Sequence, residues 1–187
     1  TDKNKIGETF CMRLEWREQD LKKLIEARAS YALGKDVLWS DLEDGDVMRG
    51  NQNKMDHLIA RTYKRPRDVI RFCNAILEEA KKLGHSQFTN PDVISARELY
   101  SAYIRGELED EIAPHWTEWE DSIRVIARMG YLKFQVAEFE KRYGKTPASR
   151  GVPADEALRR LFDYSVIGLR LRSGYGGSPW IFQYERP

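Results

Sequence analysis

The sequence is poor in the residues that build metal and redox centres. It has two cysteines and three histidines in 187 residues. Cys11 and Cys73 are far apart and have no partner ligands at metal spacing, so they read as reduced core residues of an intracellular protein rather than a disulfide or zinc pair. His57, His85 and His115 are isolated, with no HExxH pattern. No apolar run is long enough to span a bilayer. The polar start, Thr1-Asp2-Lys3-Asn4-Lys5, is not a signal peptide. Charge of one sign is also lacking. The formal net charge is +1, so attraction to nucleic acid or membrane must be local. Neither a GxSxG nucleophile elbow nor a GxxxxGK[ST] phosphate loop occurs, and Gly174 to Gly177 precedes neither a lysine nor a helix. The chain alone is not expected to be an enzyme or to hydrolyse a nucleotide.

What is present is helix. Hydrophobic residues make up 41% and charged residues 33%, a globular balance. Leu21, Leu24, Ile25, Ala29 and Ala32 form a stripe over about 17–33, ended by Gly34. Met55, Leu58, Ile59 and Thr62 mark a short helix. A stronger one runs from Pro66 to Leu83, with Val69, Phe72, Cys73, Ile76, Leu77, Ala80 and Leu83 inward and Gly84 after it. Pro91 opens another helix toward Ile112. Thr117 to Glu120 reads as a capping box for a helix ending at Met129, and further helices cover about 133–143 and the stretch after Pro153. The acidic turn Asp41 to Asp46 lacks the EF-hand spacing and reads as a solvated loop.

The two ends differ from this pattern. Thr9 to Leu14 reads as a strand. Ser165 to Arg172 alternates apolar and basic residues, Ser173 to Pro179 is turn-rich, and Trp180 to Tyr184 reads as a second strand. Helices followed by such a β-hairpin have the order of a winged helix. The expected fold is therefore mainly α: a helical bundle followed by a winged helix-turn-helix domain with a C-terminal β-hairpin wing. The expected divisions are 1–15 (strand), 16–86 (helical bundle), 87–115 (connecting helix) and 116–187 (winged helix).

Two basic groups are candidate sites. Arg65, Arg67 and Arg71 surround the helix-opening Pro66. They are either a solvated helix end or a phosphate clamp, since guanidinium presents a rigid fork of donors. Arg159, Arg160, Arg170, Arg172 and Lys145 lie on the third helix, first wing strand and adjoining loop of the winged helix, where they could contact nucleic-acid phosphates. Asp155, Glu156 and Asp163 share that helix, and the acidic run Glu107 to Glu111 leading into the domain would repel DNA if it lies on the same face.

Arg65-Pro66-Arg67-Asp68-Val69-Ile70-Arg71-Phe72-Cys73-Asn74 resembles the start of a lid helix in P-loop ATPases of the AAA+ and STAND type. The resemblance implies that 16–86 is lid-like, that Thr9 to Leu14 is the final strand of an absent ATPase core, and that Arg67 matches the sensor arginine that contacts nucleotide phosphates. It also implies ATP and Mg for the parent protein, with no cofactor bound by this chain alone. Expected partners are the missing core and a protein, with DNA as an alternative and no membrane, in the cytoplasm. The competing readings are a free-standing winged-helix DNA-binding regulator and a helical interaction module with no nucleotide role.

Overall fold

The computed structural model describes residues 16–170 and 180–185. The strand expected at Thr9 to Leu14, together with Cys11, Arg172 and the whole turn-rich loop Ser173 to Pro179, lies outside them. The chain divides into two compact units, Thr1–Ala102 and Tyr103–Pro187.

In the first unit, α1 (Glu18–Leu33) and α2 (Trp39–Leu42) precede α3 (Lys54–Ile59) and α4 (Pro66–Leu83), and α5 (Asn90–Ile112) begins there. Punctuation residues set these limits. Gly34 and Gly84 lie at φ 66° and 72°, the left-handed region in which a helix ends without a Cβ clash. Thr89 and Asp92 open α5: the Thr89 N–H and hydroxyl both donate to Asp92 Oδ2 at 2.8 Å. Leu21, Leu58, Ile59, Val69, Phe72, Ile76, Val93 and Ala96 form the core, and Phe72 stacks on Tyr100 with centroids 4.5 Å apart. Leu77 and Leu83, expected inside, are exposed, as is Ala32. Ala75 takes an inward position on α4 instead, which rotates the buried stripe away from them.

Asp41, Asp44 and Asp46 are exposed, as expected of a solvated turn, but their side chains and backbone are also engaged. Asp41 caps α2 by accepting from the Leu38 N–H at 2.8 Å. Trp39 is buried and lies 5.8 Å from the Phe88 ring. Phe88 also bonds to this segment through its backbone, donating to Leu42 O and accepting from the Asp44 N–H. Asp44 receives the ammonium of the fully buried Lys54 at 2.5 Å. Among the described residues no group of three acidic, histidine or cysteine side chains could hold a metal ion.

The second unit holds the end of α5, then α6 (Trp119–Met129), α7 (Val136–Tyr143) and α8 (Ala154–Asp163), with a 3-10 turn at Pro147–Arg150. Ile112, Trp116, Trp119, Phe139, Tyr143, Ala157 and Leu161 form its core. Thr117 does not act as the expected cap. Its hydroxyl donates to the carboxylate of Glu118, which is itself the residue preceding α6.

The expected wing is not formed. The described residues contain no strand or sheet, only eight α-helices, short 3-10 turns and isolated bridges. Leu169 and Ile181 exchange two backbone hydrogen bonds of 2.8 Å, the only rung between these two segments among the described residues. Three features explain why. Ser165 sits at φ 59°, which turns the chain as it leaves α8. Val166 and Ile167 pack on the helical core instead of alternating along a ladder. Gly168 meets the ring of Phe182 so closely that a Cβ would lie 2.8 Å from it. The second predicted strand ends as a 3-10 turn at Gln183–Glu185, with the Tyr184 N–H donating to Ser165 Oγ. The alternating apolar residues cover a helical core rather than half-bury a hairpin. Mainly α stands; the β-hairpin wing does not.

Candidate functional site

The entry to α4 concentrates three unusual features. Lys64 lies at φ 52°, a left-handed conformation that costs a non-glycine residue about 1–2 kcal/mol. The Lys64 N–H is held by Thr62 Oγ1 at 3.2 Å, and its ammonium pairs with Glu18 at 3.5 Å. Arg65 then precedes the helix in extended conformation, with Pro66 at the first helical position. Held this way, Arg65, Arg67 and Arg71 are all exposed.

Arg65 lies over the Tyr63 ring, its Cζ 5.4 Å from the centroid. Arg67 and Arg71 are one turn apart and so share a face. Asp68 is buried in the first turn, a favourable place for a carboxylate because the helix dipole is positive there. By the same physics, Arg65 and Arg67 stand at the unfavourable end, at a cost of about 0.3–1 kcal/mol each. A phosphate drawn to this end would meet both the dipole and the guanidinium forks.

Residues 19–109 match the FunZ-associated C-terminal helical domain. The match begins in α1, takes in the α4 entry and ends near the close of α5, just under half of the chain. Similarity to the FunZ-associated domain fits a C-terminal region of a larger protein. That description names no nucleotide and no P-loop core. No curated protein and no solved structure matches the chain.

The second candidate group is arranged differently. On α8, Arg159 and Arg160 both bond to Glu156, at 2.5 Å and 2.8 Å, and Arg160 also lies over Trp116. Bonds from Arg160 and Arg159 hold the Glu156 carboxyl below the usual range. These residues line a shallow pocket of about 340 Å³ with His115 and Asp163, so its wall carries both signs of charge. Arg124 and Arg142 are likewise bonded to carboxylates. Lys145 and Arg170 are exposed.

Of the other sequence candidates, Cys73 is a free thiol pushed up by burial to about 12, so it is not a ready nucleophile. His85 bonds to both oxygens of Asp92 at 3.0 Å. Burial pushes the Asp92 carboxyl up, but bonds from Thr89 and His85 bring it below its ordinary value. A third basic group, His57 with Arg61 and Arg97, was not visible in the sequence. The i, i+4 spacing of the first two is visible, but Arg97 joins them from 40 residues away.

Proposed function

We propose that this chain is the nucleotide-responsive C-terminal region of a P-loop ATPase of the AAA+/STAND type. In this reading the first unit is a lid over a nucleotide that the rest of the protein holds with Mg, in the cytoplasm. Arg67, supported by Arg65 and Arg71, reaches the phosphates only when the lid is closed. Lid position then depends on phosphate state, because a ligand shifts an equilibrium by its differential affinity for the two states.

The exposed arginine cluster on the first turn of α4 carries this reading. Similarity to a domain described as C-terminal supports placing the chain at the end of a larger protein. The second unit would pass lid position to a protein partner. Its surface arginines are largely neutralised by Glu138, Glu156 and Glu120, which favours a mixed-charge protein interface over a polyanion.

The reading is tested by translating the gene upstream of the Thr1 codon. A GxxxxGK[ST] loop in the same open frame, within a few hundred residues, supports it. A start codon directly before Thr1 overturns it.

A further inference from the structure

His57, on α3, is 3% exposed and is gripped by two arginines. Arg97, on α5, donates from Nη2 to His57 Nε2 at 2.5 Å. Arg61 donates from Nη1 to the His57 carbonyl at 2.9 Å. A guanidinium can only donate, so Nε2 accepts and the imidazole is neutral with its proton on Nδ1. The electrostatics agree. Burial, then the charges of Arg61 and Arg97, push His57 down to about 4.

That assignment leaves a surplus of donors. The Nδ1–H of His57 is buried with no hydrogen-bond partner among the described residues, and so is the Nε–H of Arg97. A buried donor left unmet is destabilising, so a ligand that supplies an acceptor is favoured there. Neither Arg61 nor Arg97 pairs with a carboxylate among the described residues, unlike Arg105, Arg124, Arg142, Arg159 and Arg160. Burial and the neighbouring Arg97 charge also lower the pKa of Arg61. Two guanidiniums, the exposed Arg61 and the half-buried Arg97, are thus held near one another with donors in excess and, among the described residues, no carboxylate paired with either.

We propose that His57, Arg61 and Arg97 form a binding site for a phosphate-class oxyanion. Such an anion supplies the missing charge and several acceptor oxygens, and it matches the fork of a guanidinium. The site uses α3, the turn after it and α5, and shares no residue with the arginines at the α4 entry. It therefore stands or falls independently of the proposed lid role.

The test titrates the full chain with sodium phosphate against sodium chloride at equal ionic strength. Melting temperature is followed together with the NMR signals of the arginine Nε–H groups and the His57 ring. The expected result is saturable binding that moves the Arg97 and His57 signals and raises the melting temperature with phosphate only. Arg97→Gln and Arg61→Gln should each weaken that binding at least tenfold, and Arg67→Gln should leave it intact. Arg97→Lys keeps the charge and serves as the folded control if Arg97→Gln disrupts the unit. Parallel titrations with phosphoserine and ATP assign the source of the phosphoryl group, whichever binds more tightly and is lost in Arg97→Lys or Arg97→Gln. Equal effects of phosphate and chloride, or saturable binding abolished by Arg67→Gln and not by Arg97→Gln, would overturn the proposal.

Discussion

Asp44→Ala should be among the most damaging single changes in the first unit. Lys54 is fully buried, and its ammonium has two partners: Asp44 Oδ1 at 2.5 Å and the carbonyl of Asp46 at 2.6 Å. Removing the carboxylate leaves a buried cation with one neutral acceptor. Breaking a buried pair from one side costs about 3–5 kcal/mol. Asp44 keeps 26% of its side-chain surface in water and the Asp46 carbonyl remains, so the lower end applies, about 3 kcal/mol. Urea unfolding at neutral pH, with an unchanged slope, measures the loss.

The pH dependence carries a second, signed expectation for the same pair. Burial pushes the Asp44 carboxyl up, but the Lys54 ammonium and the Asp46 N–H pull it further down, below the ordinary 3.8. A carboxyl depressed in the folded state stabilises above its unfolded pKa and stops doing so as pH falls through the folded value. The gap between wild type and Asp44→Ala should therefore be full above about pH 5 and close as pH drops below 3.8. Lys54→Met in the Asp44→Ala background should recover part of the loss, since it removes the unpaired buried charge. A loss below about 1 kcal/mol at pH 7, a gap that does not change with pH, or no recovery in the double variant would each refute the reasoning.

Two further variants probe the helices that present the α4 arginines. Phe72→Ala empties a fully buried site and ends the stack on Tyr100, and urea unfolding should show a loss of about 3–5 kcal/mol. Gly84→Ala forces a Cβ into the left-handed conformation that ends α4, in space that is otherwise open, so its cost is backbone strain alone, about 1–2 kcal/mol by the same measurement.

The helices were legible because single residues mark their ends. Pro66 and Gly84 bound α4 where the sequence puts them, and Gly34 and Gly130 do the same for α1 and α6. The wing was misread because alternation at Val166, Ile167 and Leu169 has two uses. It can half-bury a strand, or it can cap a helical core from an irregular segment, and the Gly168 contact with Phe182 selects the second. The exposed arginines at the α4 entry were legible because they are contiguous. The Glu156 bonds to Arg159 and Arg160 follow from i, i+3 and i, i+4 spacing on one helix. The His57 group was not legible, because its chemistry depends on a contact between residues 40 apart in the chain.

The most direct test of the central claim is ATP and ADP affinity of the full-length protein, wild type against Arg67→Ala, by equilibrium titration with Mg present. A lid arginine bonded to the γ-phosphate predicts a loss of about 1.5–3 kcal/mol for ATP, roughly 10- to 100-fold in Kd, with ADP affinity nearly unchanged. Equal ATP affinity in the two proteins, or equal losses for ATP and ADP, would contradict it.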